Sequence, residues 1–356
     1  MSNEPQRPTG DNRDEWSVYW TAQGTPWRTE QEIDVQRQRY LSERRTTPVN
    51  VGNGTYAFKD VRLDRADIEW LLVTHENGRG PVNWLDENQR ERKGLDLRGA
   101  LLQGAQLSGL PLSCMQGALA APDAEMVTRF QRRLALVHLE NANLFGTRLE
   151  AAELSRAHLE GADLTGAHLE RANLFAAHLE GTNLSDTHLE GADFAGAFLD
   201  PSVYFHGTYL YNKAWGSLSV ADVRWNGANV TTAHWNQVPV LQEEYRASQK
   251  KTVKRYERAV RANRQLALML RTQGLNEDAD RFAYRAQVLQ RKLLRRQNKF
   301  LRYLGSLFLG IISGYGYKPL RSLYTYAFII GVFAILFWCV TNDVSLTFGW
   351  FTQIIT

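Results

Sequence analysis

Residues 137–199 read VHLENANLFGTRLEAAELSRAHLEGADLTGAHLERANLFAAHLEGTNLSDTHLEGADFAGAFL, and a large apolar residue returns at every fifth position. Leu139, Leu144, Leu149, Leu154, Leu159, Leu164, Leu169, Leu174, Leu179, Leu184, Leu189 and Leu199 keep the phase, with Phe194 in the remaining slot. Two positions ahead of each stands a small residue, as at Ala142, Thr147, Ala152 and Ala162. A period of five fits neither the 3.6 of a helix nor the 2.0 of a strand, so each unit adds a constant turn of its own.

The register A-(D/N/H)-L-x-x resembles the pentapeptide-repeat family of bacteria. That resemblance implies a right-handed quadrilateral β-helix with five residues per side and four sides per coil. The physics is compatible: one leucine per side points at the axis, the small residue sits inside beside it, and coils stack at roughly 4.8 Å. Such a rod is quasi-one-dimensional and depends on its neighbouring coils.

Weaker copies extend the rod over residues 51–240. Phe58, Leu63 and Ile68 lie five apart, Leu97, Leu102, Leu107 and Leu112 form a second run, and Val220, Trp225, Val230 and Trp235 resume it downstream. The last run is out of phase with Leu199, which predicts a bulge or loop between Asp200 and Leu218. Helical insertions are expected near 67–94 and 113–134, the latter with Pro122 just ahead of an acidic first turn. About six coils remain. Residues 1–50 are polar and carry no secretory signal pattern, and Trp16, Trp20 and Trp27 predict a partly ordered lead-in against the first coil. Two cysteines, Cys114 and Cys339, make a structural disulfide improbable and favour a cytosolic body.

Charge divides the chain. Residues 134–240 hold 5 Lys/Arg and 12 Asp/Glu, net −7, whereas 241–321 hold 19 and 6, net +13. Residues 241–300 show helical spacing through Tyr256, Ala259, Ala262, Leu266 and Leu270, a stop at Gly274, and a restart at Ala279, Phe282, Ala286 and Leu289. This predicts a basic helical hairpin, with Asn276 as N-cap, acting as spacer or stalk. It looks like a single tetratricopeptide unit. Residues 322–342 carry no charge and are long enough at 1.5 Å per residue to cross a ~30 Å hydrocarbon core, predicting a transmembrane helix. Arg291, Lys292, Arg295, Arg296, Lys299, Arg302, Lys318 and Arg321 precede it and are read as membrane-surface cations that hold the N-terminal body in the cytoplasm. Residues 301–321 read as an interfacial segment and 343–356 as an apolar tail. The expected architecture is therefore mainly β: a right-handed quadrilateral β-helix, an α-helical hairpin and a C-terminal transmembrane helix. Taken whole, the chain resembles membrane-attached pentapeptide-repeat proteins of bacteria, which implies a place in the bacterial inner membrane.

His138, His158 and His178 precede inward leucines at intervals of 20 and are expected in one column; His168 and His188 are expected in another on the opposite face. Glutamates 140, 160 and 180 accompany the first column and 150, 170 and 190 the second. Three readings of these columns stay open: solvated polar positions of a duplicated sequence, a zinc site, and a pH-sensitive or partner-binding face. No nucleophile–base pair or phosphate loop appears, so no enzyme activity and no cofactor is expected. The leading function is a membrane-anchored, non-catalytic cytoplasmic interaction scaffold, with protein partners, membrane lipids and possible homo-oligomerisation; nucleic acid is an improbable partner. The alternatives are a regulatory or structural subunit of a small membrane channel or transport assembly, and, by the resemblance, a DNA-mimic topoisomerase-binding protein.

Overall fold

Each five-residue unit closes with a hydrogen bond from the small residue's N–H to the carbonyl of the leucine three positions back. Examples are Ala142 to Leu139 at 3.1 Å, Ala162 to Leu159 at 3.0 Å and Ala177 to Leu174 at 3.0 Å. The residue between them, two after the leucine, takes left-handed φ, +70° at Gly161 and +72° at Gly181. A turn with positive φ at its third residue is type II. Repeated at every leucine, it is the physical origin of the square corner.

The structure, a computed structural model, describes residues 6–312, 314–317 and 319–341, except for the side chains of 319, 321 and 339–341. Parallel bridges join the coils into four columns. The first runs through Arg62, Leu101, His138, His158, His178, Phe198 and Arg224, and the third through Pro111, Arg148, His168, His188 and Tyr209. With the two remaining columns of six residues each, this makes six coils. The inward leucines from Leu139 to Leu189, Phe194 and Leu199 are all 0–1% exposed and form one continuous core. Registry slips twice after His178↔Phe198. One residue is added before Asn183↔Tyr204 and five more before Asp193↔Ser219, where strands β1 (Tyr211–Asn212) and β2 (Gly216–Ser217) form an antiparallel hairpin.

Among the described residues these two short strands are the only regular ones, because the sides of the coil pair through single bridges. The expectation of a mainly β chain is thus corrected: helices account for much of it. The N-terminal helices α1 (Arg13–Ala22), α2 (Val35–Arg45) and α3 (Arg65–Val73) close one end of the rod. Arg65 of α3 donates to the carbonyls of Trp27, Gln106 and Ser108, while the buried Glu69 takes Arg65 and the N–H groups of Thr29 and Glu30. A kinked helical turn, α4 (His75–Gly78), continues the first insertion. The second insertion holds α5 (Ala121–Glu125) and α6 (Arg129–Arg133) and is shorter than expected: Gln116 pairs with both Asp96 and Glu153, so its surroundings belong to a coil.

The largest departure lies at the other end. Helices α7 (Gln242–Gln249), α8 (Val253–Thr272) and α9 (Asn276–Arg296) form the expected hairpin with an extra short helix in front. They are a lid on the rod rather than a stalk. Ala262, Leu266, Leu270, Ala279 and Phe282 share one core with the leucine columns, and Phe282 meets Trp235 edge-to-face at 6.4 Å. Glu243 accepts from the Ser219 hydroxyl and from the N–H groups of Val220 and Ala221 at 2.8 and 2.6 Å; Gln265 accepts from Asp222 N–H and Gln273 from Val230 N–H. Arg281 donates to the carbonyls of Trp235 and Asn236. Side chains thereby satisfy an edge that would otherwise invite another chain. Asn276 is the first residue of α9, and Leu275 occupies the cap position with no side-chain bond. Docking onto the rod also leaves the tetratricopeptide comparison unsupported, since that unit would stack on copies of itself.

Beyond the lid, α10 (Phe300–Ile312) and α11 (Pro319–Thr341) are joined through a turn at Gly314–Gly316. That turn packs on the lid, Tyr315 lying 6.2 Å from Tyr284 and bonding Ser306 at 2.9 Å. The transmembrane expectation for 322–342 is not met as stated: the described side chains of α11 end at Trp338, and among the described residues no helix is long and apolar enough to cross a membrane. Lys318, Asn342 and the expected tail 343–356 lie outside the described residues.

Candidate histidine–glutamate faces

Because a leucine points inward, the residue before it points out, and the 20-residue coil stacks equivalent residues. His138, His158 and His178 form one column, with ring centroids 5.0 and 5.1 Å apart and planes within 10° of parallel. His168 and His188 form the other at 4.6 Å. Each column continues into an aromatic ring that the sequence reading missed: Phe198 stacks on His178 and Tyr209 on His188, both at 4.4 Å, and Arg224 lies over Phe198. Phe198 keeps the 20-residue spacing from His178, whereas the registry slips hide the later members, shifting the spacing to 21 residues at Tyr209 and 26 at Arg224.

The glutamate two residues after each histidine turns back toward it. Nδ1 of His138 lies 2.9 Å from Glu140, that of His158 3.0 Å from Glu160, that of His168 3.2 Å from Glu170, and that of His188 3.4 Å from Glu190. His178 sits between Glu160 and Glu180 at 3.8 and 3.6 Å. The Glu190 hydrogen bond is the main cause of a raised His188 pKa, against the opposing effect of burial. Glu150 differs from the rest: it takes Arg148 at 2.9 Å and the Ser113 hydroxyl at 2.7 Å. The second carboxylate oxygens of Glu140, Glu160, Glu170, Glu180 and Glu190 are buried with no hydrogen-bond partner. Three groups bring ligand atoms within 4.8 Å of one another: His168, Glu170 and His188; Glu140, His158 and Glu160; and Glu160, His178 and Glu180.

A cleft of about 760 Å³ opens elsewhere on the rod, between the β1–β2 hairpin and α7, with Arg171, Lys213, Trp215, Tyr245 and Arg246 on its walls. Trp215 meets Trp84 of the first insertion at 5.9 Å, and Arg90 lies over both rings. Sequence proximity gives no hint of this contact. Cys114 is a free thiol whose pKa burial pushes up to about 11. Of the expected membrane-surface cations, Arg291, Lys292, Arg295, Arg296 and Lys299 lie along the end of α9 and its junction with α10, and Arg302 on α10; the Arg321 side chain lies outside the described residues.

Residues 133–171, 142–181 and 167–200 match the family model described as Pentapeptide repeats, in eight copies. This stretch is a pentapeptide-repeat solenoid, and the repeat implies a right-handed coil. Among solved structures, the chain is similar to the pentapeptide repeat protein Rfr23 from the cyanobacterium Cyanothece 51142, at 28% identity over 35% of this chain and 88% of that one, TM-score 0.16. It is also similar to a pentapeptide repeat protein of the Arabidopsis thaliana thylakoid lumen, at 20% identity over 44% and 74%, TM-score 0.15. A third is QnrB1, a plasmid-mediated fluoroquinolone resistance protein, at 16% identity over 42% and 81%, TM-score 0.21. No curated protein matches the chain.

Proposed function

We propose that the chain is a non-catalytic interaction scaffold: a capped pentapeptide-repeat rod, held at the bacterial inner membrane by α10 and α11, that offers flat cytoplasmic faces to protein partners. The observation that carries the membrane reading is the apolar surface of those two helices. Leu301 is 84% exposed, and Phe300, Phe308, Ile311, Leu323, Phe328, Phe333 and Phe337 are exposed with it. So large an apolar patch on a water-soluble surface marks an interaction site. Lipid is the cover that suits the neighbouring cations, because anionic headgroups attract a Lys/Arg cluster beside an apolar helix with about 1 kcal/mol per residue.

The scaffold reading is supported by the rod itself. Its core is filled from end to end, its ends are closed by helices, and what remains to act is the outer surface. Flotation with anionic vesicles tests the anchor: the full chain is expected to float, and a chain ending at residue 296 is expected to stay behind. Full-length protein that remains in the soluble fraction contradicts it.

A further inference from the structure

In the third column of the rod, Arg148, His168 and His188 occupy equivalent places on successive coils, each followed two residues later by a glutamate. On the first coil, a guanidinium neutralises the carboxylate of Glu150, and Ser113 completes its bonding. On the next two coils histidine replaces arginine, and the buried second oxygens of Glu170 and Glu190 have no partner. Among the described residues no Lys or Arg forms an ion pair with either. The repeat has therefore kept the anion and withdrawn the fixed cation. A nearly buried carboxylate is costly unless it is paired.

We infer that His168, Glu170 and His188 bind a divalent transition-metal ion of the zinc class. Two imidazoles and one carboxylate are a zinc donor set, with an open position for water. Their ligand atoms already lie within 4.8 Å of one another. Bonds of 2.0–2.1 Å to a tetrahedral ion place donors about 3.4 Å apart, so modest side-chain rotation brings them together. The His168 and His188 side chains are 39% and 31% exposed, so both rings border solvent, while Glu170, at 14%, is held by the rod. The ion would link two coils through their side chains, in addition to the backbone bridge between His168 and His188. This inference does not depend on the membrane reading.

The test is calorimetric titration of the full chain in detergent with zinc chloride at pH 7.5, alongside the His168→Gln/His188→Gln variant and Glu170→Gln. The first column holds two further His/Glu groups, so the comparison between proteins is decisive. Saturable binding by the parent chain is expected, with both variants losing one ion per chain or weakening that ion more than about 10-fold, the lower end of losses known for second-shell partners. Zinc should also raise the parent melting temperature by more than it raises the variant's. Circular dichroism verifies that each variant is folded, and Glu170→Gln, which alters no ring stack, guards against loss of the double variant. No saturable zinc heat in the parent, or unchanged stoichiometry and affinity in folded variants, overturns the inference.

Discussion

Replacing Phe282 with alanine asks whether the helical hairpin is part of the rod's fold. Phe282 is fully buried, lies edge-to-face with Trp235 at 6.4 Å, and belongs to the core cluster that contains the leucine columns. Truncating a buried phenylalanine costs about 3–5 kcal/mol, within which the aromatic pair accounts for about 0.5–1.5 kcal/mol. For a cooperative unit of this size each kcal/mol moves the melting temperature by about 2–4 °C, giving a fall of about 6–20 °C. The location of the loss matters as much as its size. Amide hydrogen exchange should accelerate in residues 219–235 of the last coil as well as in α8 and α9, because nearest-neighbour interfaces carry the stability of a solenoid. Leu268→Ala, on the exposed side of α8, should change little. Faster exchange in the helices with an unaltered last coil would refute the lid and restore the stalk.

Four further substitutions probe the rod and its lid. Leu159→Ala removes an inward side chain that is 0% exposed from the middle of the stack, and denaturant unfolding should show a loss of about 2–5 kcal/mol; a loss below 1 kcal/mol would mean that residue 159 is not an axial position. Gly191→Ala introduces a Cβ only 2.6 Å from the Trp215 carbonyl at a residue with φ of +71°, and should destabilise by about 1–3 kcal/mol, whereas Ala176→Gly, at φ +55°, should be neutral to slightly stabilising because relief of the left-handed cost is partly offset by glycine's chain entropy. Equal losses from both would contradict the corner geometry. Glu243 is buried in the lid, and burial raises its pKa above the ordinary 4.5 despite the hydrogen bonds it accepts. A carboxyl whose folded pKa exceeds the unfolded one adds stability below the unfolded value and loses it as pH rises through the folded one. Glu243→Gln should therefore show a flatter pH dependence of stability above 4.5 than the parent; a variant that keeps the parent's slope would contradict that sign.

The repeat was legible because a five-residue period leaves little else for the chain to be, and the outward columns follow from 20-residue arithmetic. Their chemistry was less so: that each glutamate folds back on its histidine depends on side-chain rotamers, which sequence spacing does not specify. The hairpin is visible in the sequence as two helices, but what it packs against is not. Ala262, Leu266 and Leu270 form an ordinary amphipathic stripe on α8, and a stripe does not say what it packs against. The unpaired edge left by the last coil, at Val220 to Trp235, was the available hint that a cover had to exist. Helix start signals also failed at Asn276, where the cap residue that propensity favours became N1 and Leu275 took its place.

Pyrene excimer fluorescence on paired cysteines reads the square cross-section directly. With Cys114 and Cys339 replaced by serine, labels at positions 158 and 178, adjacent in one column, should give strong excimer emission. Labels at 158 and 168, ten residues nearer in sequence but in different columns, should give little. Equal emission from the two pairs, or more from the second, would contradict a coil that turns four corners in every twenty residues.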